Sequence, residues 1–306
     1  MTDAKNAYDV IILGSGPAGL QAAVHAARAK TDVAVLGRLK KSSLHRAHVE
    51  NYCCMSNVMT GEEMLAQGKT QAEGFGASFL DEDVVGIETE SDGRFRVMLE
   101  SGDALSAGAM ILAMGISRNR LRVPGEKELQ GKGVSACVEC DGNFYRNEPV
   151  AVVGNGSAAA AGAMTLLMIA SDVHLIYKEL EVDERLKEQV ERSAILIHPD
   201  RWVTSIDGTD GVEGVTLDDG ETLKVSAIFV ELGAKGALEL ATGLGVALDP
   251  EEMRFILVNK KQETNIPGIY GAGDICGPPW QMAKAIGEGC VAGLEAAAYA
   301  KKQRKI

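Results

Sequence analysis

The sequence predicts an α/β protein with two domains that are built alike, the second inserted in the first. Its 306 residues correspond to about two domains, at roughly 150 residues each. A pattern of strand, glycine turn, helix and strand begins at Tyr8 and starts again at Val150. Such alternation is typical of parallel sheets that are covered by helices.

The first repeat of this pattern lies close to the N-terminus. We predict a buried strand over Tyr8–Leu13, a tight turn over Gly14–Gly19, a helix over Leu20–Ala29 and a strand over Asp32–Leu36. Asp92-Gly93 marks a hairpin turn. It lies among three further predicted strands: Ser78–Thr89, Phe95–Glu100 and Ala109–Ala113.

The second repeat has the same order of elements. We predict a strand over Val150–Val153, a turn over Gly154–Gly156, a helix over Ala158–Ala170 and a strand over Val173–Tyr177. Three strands follow again: Val203–Asp207, Gly214–Leu217 and Ala227–Val230. The segment Ile269–Ala300 predicts strand, glycine turn and helix once more, returning to the first domain. The predicted domains are therefore 1–117 with 248–306, and 118–247, joined by linkers near Ser117–Pro124 and Leu244–Pro250.

Composition excludes several classes of protein. The 43 acidic residues outnumber the 31 basic ones, and a net charge of −12 disfavours nucleic acid as a partner. The longest mostly apolar run, Ala158–Ala170, is shorter than the about 20 residues that cross a bilayer. The N-terminal residues lack the pattern of a secretion signal. We therefore expect a cytoplasmic protein that does not bind membranes.

The first glycine turn is a candidate phosphate site. It forms the pattern G-x-G-x-x-G between a predicted strand and a predicted helix, so a pyrophosphate can approach the backbone while the helix start offers N–H groups. The turn predicts a Rossmann-like dinucleotide domain, the alternative being a purely structural turn. Its residues are Gly14, Ser15, Gly16, Pro17, Ala18 and Gly19.

Flavin fits this first site better than NAD. The acid that usually binds the ribose of NAD is missing, because the second strand is followed by Gly37-Arg38. Near the C-terminus, Gly271-Ala272-Gly273-Asp274 is a second glycine turn that ends in an acid. Such a turn lets the aspartate reach a polyol hydroxyl, while the helix that follows points at phosphate.

The second repeat offers a different candidate site. Gly154 and Gly156 belong to a G-x-G-x-x-A turn, and the following strand is succeeded by Lys178-Glu179. An acid at position 179 can accept a hydrogen bond from a 2′-hydroxyl but repels a 2′-phosphate. The alternative is a Rossmann-like scaffold that binds no nucleotide.

The cysteines suggest redox chemistry. Cys137 and Cys140 form a C-x-x-C pair directly before Asp141, and this spacing allows a disulphide that exchanges two electrons with a second dithiol. A zinc site would need a second such pair, so we predict no metal site. Inert buried thiols are the remaining alternative. We predict that the other cysteines are packing residues: Cys53, Cys54, Cys276 and Cys290.

With these features, the chain resembles the low-molecular-weight, prokaryotic-type thioredoxin reductases over nearly all of its length. The long stretch around the cysteine pair is the most specific part. The matching stretches are Gly14–Leu20, Val49-Glu50-Asn51, Gly131–Cys137, Cys140-Asp141-Gly142, Phe144–Asn147, Asn265–Gly268 and Gly271–Asp274. The resemblance implies two three-layer ββα domains. The first (1–117 and 248–306) would bind FAD, the second (118–247) would be of the pyridine-nucleotide type and carry the cysteine pair, and the protein would be a homodimer.

The resemblance also implies roles for individual residues. Cys140 would face the flavin, Cys137 would attack the disulphide of a thioredoxin-like partner, and Asp141 would be the general acid–base. The second domain would rotate between these two tasks. Gly14–Gly19 would hold the pyrophosphate. Further flavin contacts would come from Asn51, Ala113, Gly115, Gly273, Asp274, Gln281, Met282 and Ala283.

Some positions depart from the family pattern. NADPH-dependent members carry a His-Arg-Arg-x-x-x-Arg run where this chain has Tyr177–Asp183, with acids at 179, 181 and 183. Losing two charge-assisted contacts of ~1.5–3 kcal/mol each would weaken NADPH binding about 10²–10⁴-fold. The other departures are Ser42-Ser43, Met114, Gly233–Gly236 and Trp280. Three donors stay open: NADH, which Glu179 fits, a non-nicotinamide donor such as reduced ferredoxin or another flavin, and NADPH, which fits least.

The sequence thus predicts a thioredoxin-disulphide reductase that passes two electrons through FAD, Cys137 and Cys140 to a thioredoxin-like protein, with a donor other than NADPH. That donor can be a second partner protein. Two alternatives remain. One is a flavoprotein that senses redox state or binds without turnover, and the other is a typical NAD(P)H-dependent thioredoxin reductase.

Overall fold

The computed structural model describes residues 6–53, 55, 57–116, 120–136, 138–232, 236–251, 253 and 255–304. Cys54, Cys137, 117–119 and 233–235 lie outside the described residues, as does the side chain of Cys140. The chain forms two compact units. Unit 1 consists of 1–99, 103–116 and 240–306, and unit 2 of 100–102 and 117–239.

Strands and helices alternate along much of the chain. The strands are β1 (Ala7–Leu13), β2 (Val33–Leu36), β3 (His48–Val49), β4 (Met59–Thr60), β5 (Ser78–Leu80), β6 (Val84–Thr89), β7 (Phe95–Leu99), β8 (Ala104–Leu112), β9 (Val134–Ser135), β10 (Pro149–Val153), β11 (Asp172–Tyr177), β12 (Leu196–Pro199), β13 (Val203–Asp207), β14 (Gly214–Leu217), β15 (Thr222–Leu223), β16 (Ala227–Val230) and β17 (Ile269–Gly271). The helices are α1 (Pro17–Arg28), α2 (Gly61–Gly74), α3 (Val138–Asp141), α4 (Ser157–Leu166), α5 (Glu184–Glu191), α6 (Ala237–Gly243) and α7 (Met282–Gln303). Short 3₁₀ segments cover Leu39–Lys41, Gly142–Tyr145 and Asp274–Cys276.

Unit 1 is built around one mixed sheet in the order β5-β2-β1-β8-β7-β6. β8 is its longest strand and pairs with β1 in parallel along its length. On its other side, β8 first pairs with β7 antiparallel and then with β17 in parallel. Val10 and Ile12 of β1 pack on the same side of the sheet as the alanine-rich faces of α1 and α7.

Unit 2 repeats this plan with a parallel sheet in the order β12-β11-β10-β16-β9. Alternate residues of a strand face opposite sides of its sheet. Val150 and Val152 accordingly pack with apolar residues of α4 and α5. Ala151 and Val153 pack with those of the antiparallel sheet β13-β14-β15. Unit 2 therefore consists of two sheets and one layer of helices. Together with unit 1, this arrangement confirms the predicted α/β fold class with two Rossmann-like units.

Three predicted elements were wrong in extent. The strand predicted over Ala109–Ala113 is β8, which already begins at Ala104. The single strand predicted over Ser78–Thr89 is two strands, because the buried Asp83 between them is held at the end of β2 by Arg38 and Lys41, each at 2.8 Å. The helix predicted to reach Ala170 ends at Leu166. The chain turns there, and the Ile169 carbonyl accepts a hydrogen bond from Asn147 N at 3.0 Å.

None of the described helices has the length and apolar character required to cross a membrane.

Candidate functional site

The first glycine turn lies between β1 and α1, pressed against the end of β8. Gly14 has φ +109°, and a Cβ there would lie 2.4 Å from the carbonyl oxygen of Ala113. Gly16 precedes α1 and Pro17 is the first residue of the helix, with no side chain capping it. The N–H groups at the start of α1 therefore have no side-chain acceptor there, as a phosphate-binding helix start requires.

Two predicted cofactor residues that are distant in sequence come together in unit 1. Asn51 Nδ2 donates a hydrogen bond to Gln281 Oε1 at 3.3 Å across 230 residues of chain. Gln281 directly precedes α7, so Met282 and Ala283 follow it in the first turn of that helix. Ala113 is buried directly after β8, and Gly115 lies two residues further on with φ +68°.

The turn that ends in Asp274 is braced by two residues that sequence reasoning missed. Gly273 N donates to Glu288 Oε2 at 2.8 Å. Lys284 Nζ donates to the carbonyls of Gly273 and Gly277 at 2.9 and 2.6 Å and pairs with Glu288 at 3.1 Å. The i,i+4 spacing of Lys284 and Glu288 on α7 is the sequence pattern that could have indicated their ion pair.

Asp274 itself is half-buried. Burial raises the pKa of its carboxyl above the usual value, and the nearby Lys284 ammonium partly offsets this. Among the described residues, no side chain donates a hydrogen bond to this carboxylate. A sugar-alcohol hydroxyl would supply such a donor, so the turn fits the ribityl chain of a flavin.

The second glycine turn has the same backbone design in unit 2. Gly154 has φ +157°, and a Cβ there would lie 1.9 Å from the carbonyl oxygen of Glu231, directly after β16. Gly156 precedes α4, which again has no side-chain cap. The turn is also hydrogen-bonded to the segment that follows β11. Asn155 accepts from Lys178 N through its side chain at 3.0 Å and from Glu181 N through its carbonyl at 2.7 Å.

Two cations near this second turn, Lys178 and Arg201, are already paired with carboxylates. Lys178 Nζ pairs with Asp218 at 2.6 Å and with Asp200 at 3.6 Å. The hydrogen bond from Lys178 lowers the pKa of Asp218. Arg201 pairs in the same way with Asp219. Glu179 is exposed, so a group bound at the end of β11 meets an acid while the nearby cations are neutralised.

Of the three predicted catalytic residues, Asp141 is the one whose side chain the structure describes. Cys137 and the side chain of Cys140 lie outside the described residues, and the Cys140 backbone belongs to α3. Ser135 Oγ donates to Asp141 Oδ2 at 2.7 Å. Burial, together with the charge of Asp141, raises the pKa of the nearby Tyr145 phenol. Sequence reasoning did not single out Ser135 as a site residue.

The remaining cysteines differ in their surroundings. Cys53 is exposed in the loop between β3 and β4, so the expectation that it packs in the interior is wrong. Burial raises the pKa of the Cys276 thiol to about 12, which makes it unreactive. Within the described ranges, no group of three or more His, Cys, Asp or Glu side chains is arranged to hold a metal ion.

Known proteins are similar to this chain in sequence and in architecture. A family model of pyridine nucleotide-disulphide oxidoreductases matches residues 8–289. The chain belongs to that family. The thioredoxin reductase of Escherichia coli O157:H7 is 33% identical, over 95% of this chain and 95% of that protein.

Two solved structures add detail. The atypical thioredoxin reductase TRi from Desulfovibrio vulgaris Hildenborough is 35% identical, with a TM-score of 0.84 over 96% of this chain and 98% of that one. A ferredoxin-flavin thioredoxin reductase from Clostridium acetobutylicum is 29% identical, with a TM-score of 0.69 over 98% and 100%. The resemblance inferred from the sequence is thereby confirmed. The chain is a flavin disulphide oxidoreductase of the thioredoxin reductase type, an atypical member without the basic 2′-phosphate motif.

Proposed function

We propose that this oxidoreductase passes two electrons through FAD and the Cys137–Cys140 pair to a thioredoxin-like protein, and that its donor is not NADPH. Support for the partner comes from relatives named thioredoxin reductases that align over nearly the whole chain. The homodimer expected from the same resemblance is part of this proposal. Sedimentation of the purified protein tests it.

FAD supplies the two-electron transfer between the donor and the dithiol when it is bound. Unit 1 offers the groups to hold it. The Gly14–Gly19 turn and the start of α1 would bind its pyrophosphate, and the half-buried Asp274 would accept a ribityl hydroxyl. The hydrogen-bonded pair of Asn51 and Gln281 would lie beside the ring, with Met282 and Ala283 following.

The thiol chemistry would be divided among three residues. Cys140 would exchange electrons with the flavin, and Cys137 would attack the partner's disulphide. Asp141 would take a proton from one thiol and return it to the leaving sulfur, because thiolates are the nucleophiles in disulphide exchange.

The engagement of Lys178 is the observation that carries the donor part of the proposal. A 2′-phosphate needs cations that are available to it. Lys178 is shared between Asp200 and Asp218, and Arg201 pairs with Asp219. The exposed Glu179 would add repulsion to any phosphate placed there.

Two other donors fit this arrangement. NADH fits Glu179 because its ribose carries a hydroxyl in place of the phosphate. A reduced ferredoxin needs no nucleotide site in unit 2, and the ferredoxin-flavin relative from Clostridium acetobutylicum favours this donor.

An anaerobic titration tests the proposal directly. FAD-loaded protein is mixed with NADPH, NADH or reduced ferredoxin, and loss of flavin absorbance is followed with and without oxidised thioredoxin. We expect no bleaching by NADPH at concentrations where ferredoxin or NADH acts. Equal rates with NADPH would overturn the donor assignment.

Cysteine variants test the electron path. Cys137→Ser should keep a reducible flavin and lose thioredoxin turnover, and Cys140→Ser should trap a mixed disulphide through Cys137. If Cys137→Ser still turns over thioredoxin, the path is wrong. If the reduced wild-type protein leaves thioredoxin oxidised, the alternative of a sensing or binding flavoprotein is favoured.

A further inference from the structure

The residues that form the hydrogen bond between Ser135 and Asp141 flank the cysteine pair in the sequence. Ser135 is only 6% exposed, and its hydroxyl lies 2.7 Å from Asp141 Oδ2. This is a distance typical of a hydroxyl donating to an ionised carboxylate. The contact joins a residue two positions before Cys137 to the residue directly after Cys140.

The serine hydroxyl is held on a rigid element. β9, which ends at Ser135, pairs in parallel with β16, and Ser135 is in register with Phe229. Phe229 is fully buried and makes an edge contact with the ring of Tyr145, with centroids 6.1 Å apart. The sheet therefore fixes the serine side of the hydrogen bond, while Asp141 is the last residue of the four-residue helix α3.

We propose that Ser135 is a positioning residue for Asp141 in thiol proton transfer, an inference that rests on the proposed function. A hydroxyl can donate to an oxygen of a carboxylate and also to the carbonyl oxygen of a carboxylic acid. Ser135 can therefore keep Oδ2 engaged in both protonation states. Oδ1 is then the oxygen that exchanges protons with sulfur.

The proton transfer belongs to a balanced exchange. The Cys137 thiolate attacks the partner disulphide, forming a mixed disulphide and releasing one partner thiolate. Asp141 takes the proton of the Cys140 thiol and gives it to the released partner sulfur. The Cys140 thiolate then attacks Cys137, closes the enzyme disulphide and releases the second partner thiolate, which takes a proton from water to replace the one that Cys137 released to water when its thiolate formed. Two electrons and two protons pass from enzyme to partner.

Among the described residues, Tyr145 is a titratable group that interacts with Asp141. Burial and the charge of Asp141 both raise the pKa of its phenol. Tyr145 therefore stays neutral over the range in which thiol exchange is measured.

The test uses FAD-loaded protein that has been reduced with dithionite and is mixed once with the disulphide form of a bacterial thioredoxin. We expect Ser135→Ala to slow thioredoxin reduction about 10-fold, since a hydrogen bond to a charged group is lost.

Matched variants separate this role from a structural one. Ser226→Ala removes another serine–carboxylate hydrogen bond of unit 2, to Glu148 at 3.0 Å, and should leave the rate of thioredoxin reduction unchanged. Ser135→Thr and Ser135→Val have the same shape, so a faster rate for the threonine variant reports the hydroxyl even if both lose some stability.

Asp141→Asn distinguishes the failure of this inference from failure of the proposed function. If Asp141→Asn reduces thioredoxin at the wild-type rate, the acid–base role in the proposed function is wrong. If Asp141→Asn is slow while Ser135→Ala keeps the wild-type rate, only the role of Ser135 is overturned. Ser135→Ala should add nothing to Asp141→Asn, and additive losses would contradict the inference.

Discussion

In unit 1 the first glycine turn joins β1 to α1, and in unit 2 the second turn joins β10 to α4. The first glycine of each turn donates its N–H to the neighbouring strand, Gly14 to Leu36 O at 2.8 Å and Gly154 to Ile176 O at 3.0 Å. In each unit this glycine also lies against the carbonyl of the residue directly after a neighbouring strand, Ala113 after β8 in unit 1 and Glu231 after β16 in unit 2. The two turns therefore serve the same backbone purpose, whatever they bind.

The units differ at the residue that lies two positions after the carbonyl acceptor, which is Leu36 in unit 1 and Ile176 in unit 2. In unit 1 Arg38 lies there and shares the buried carboxylate of Asp83 with Lys41. In unit 2 Lys178 occupies the corresponding place and pairs at the surface with Asp218 and Asp200. A cation in this place does not by itself indicate a 2′-phosphate site, since what it pairs with decides whether a ligand can use it.

The largest effect is expected from substitutions in the turns. Gly14→Ala and Gly154→Ala should each destabilise their unit by about 3–5 kcal/mol, through backbone strain and overlap with a carbonyl. Gly14→Ala should also lose FAD, whereas Gly154→Ala should retain it. Flavin content and urea unfolding measure both effects. Gly74→Ala is the control, because nothing lies within 4 Å of its added Cβ, and a Gly14→Ala protein with full flavin content would contradict the proposed FAD site.

An intermediate effect is expected at the two charge clusters. Asp83→Asn removes a carboxylate that is 3% exposed between two cations, and should cost about 1.5–3 kcal/mol. Asp218→Asn removes an exposed partner of Lys178, and its unfolding midpoint should stay at the wild-type value. Urea unfolding of the two variants compares them.

The Asp218→Asn variant also tests the assignment of the electron donor. Releasing Lys178 from Asp218 should strengthen NADPH binding, measured by calorimetry, by at most about 10-fold. Equal stability losses for the two variants would contradict the contrast between a buried and a surface cluster.

The smallest effect concerns the pH dependence of unit 2. His174 Nδ1 and His198 Nε2, on β11 and β12, lie 3.0 Å apart. Burial lowers the pKa of both rings below the ordinary value of 6.5. The unfolded chain therefore binds more protons, and stability should fall as the pH drops below that value. The urea midpoint should decrease slightly between pH 7.5 and 5.5, and less so in His198→Gln. A midpoint that rises on acidification would contradict this.

Most elements that define the fold were predictable because their signals are local. The turn at Gly14–Gly19, the strand at Val203–Asp207 and the hairpin at Asp92-Gly93 each follow from a short run of residues. The prediction failed where a distant side chain intervened, as at Asp83, whose partners lie more than 40 residues earlier in the chain. Helix α2 also carries a local signal, the capping box of Thr60 and Glu63.

The candidate site was predictable as a set of residues but not as a set of contacts. The motifs identified Asp141, Asn51 and Gln281, while the hydrogen bonds from Ser135 to Asp141 and between Asn51 and Gln281 require the folded chain. The braces on the Asp274 turn, Lys284 and Glu288, likewise act through backbone groups that no pattern of side chains shows.

Periodicity, glycine spacing and the cysteine pair established the kind of fold and the kind of chemistry, because each is a property of neighbouring residues. The availability of charge was decided only on folding. Lys178 and Asp218 are 40 residues apart along the chain and 2.6 Å apart in unit 2. Electrostatic pairing depends on distance in space, so the same lysine that could have bound a phosphate is paired with an aspartate that follows β14, a strand of the other sheet in unit 2.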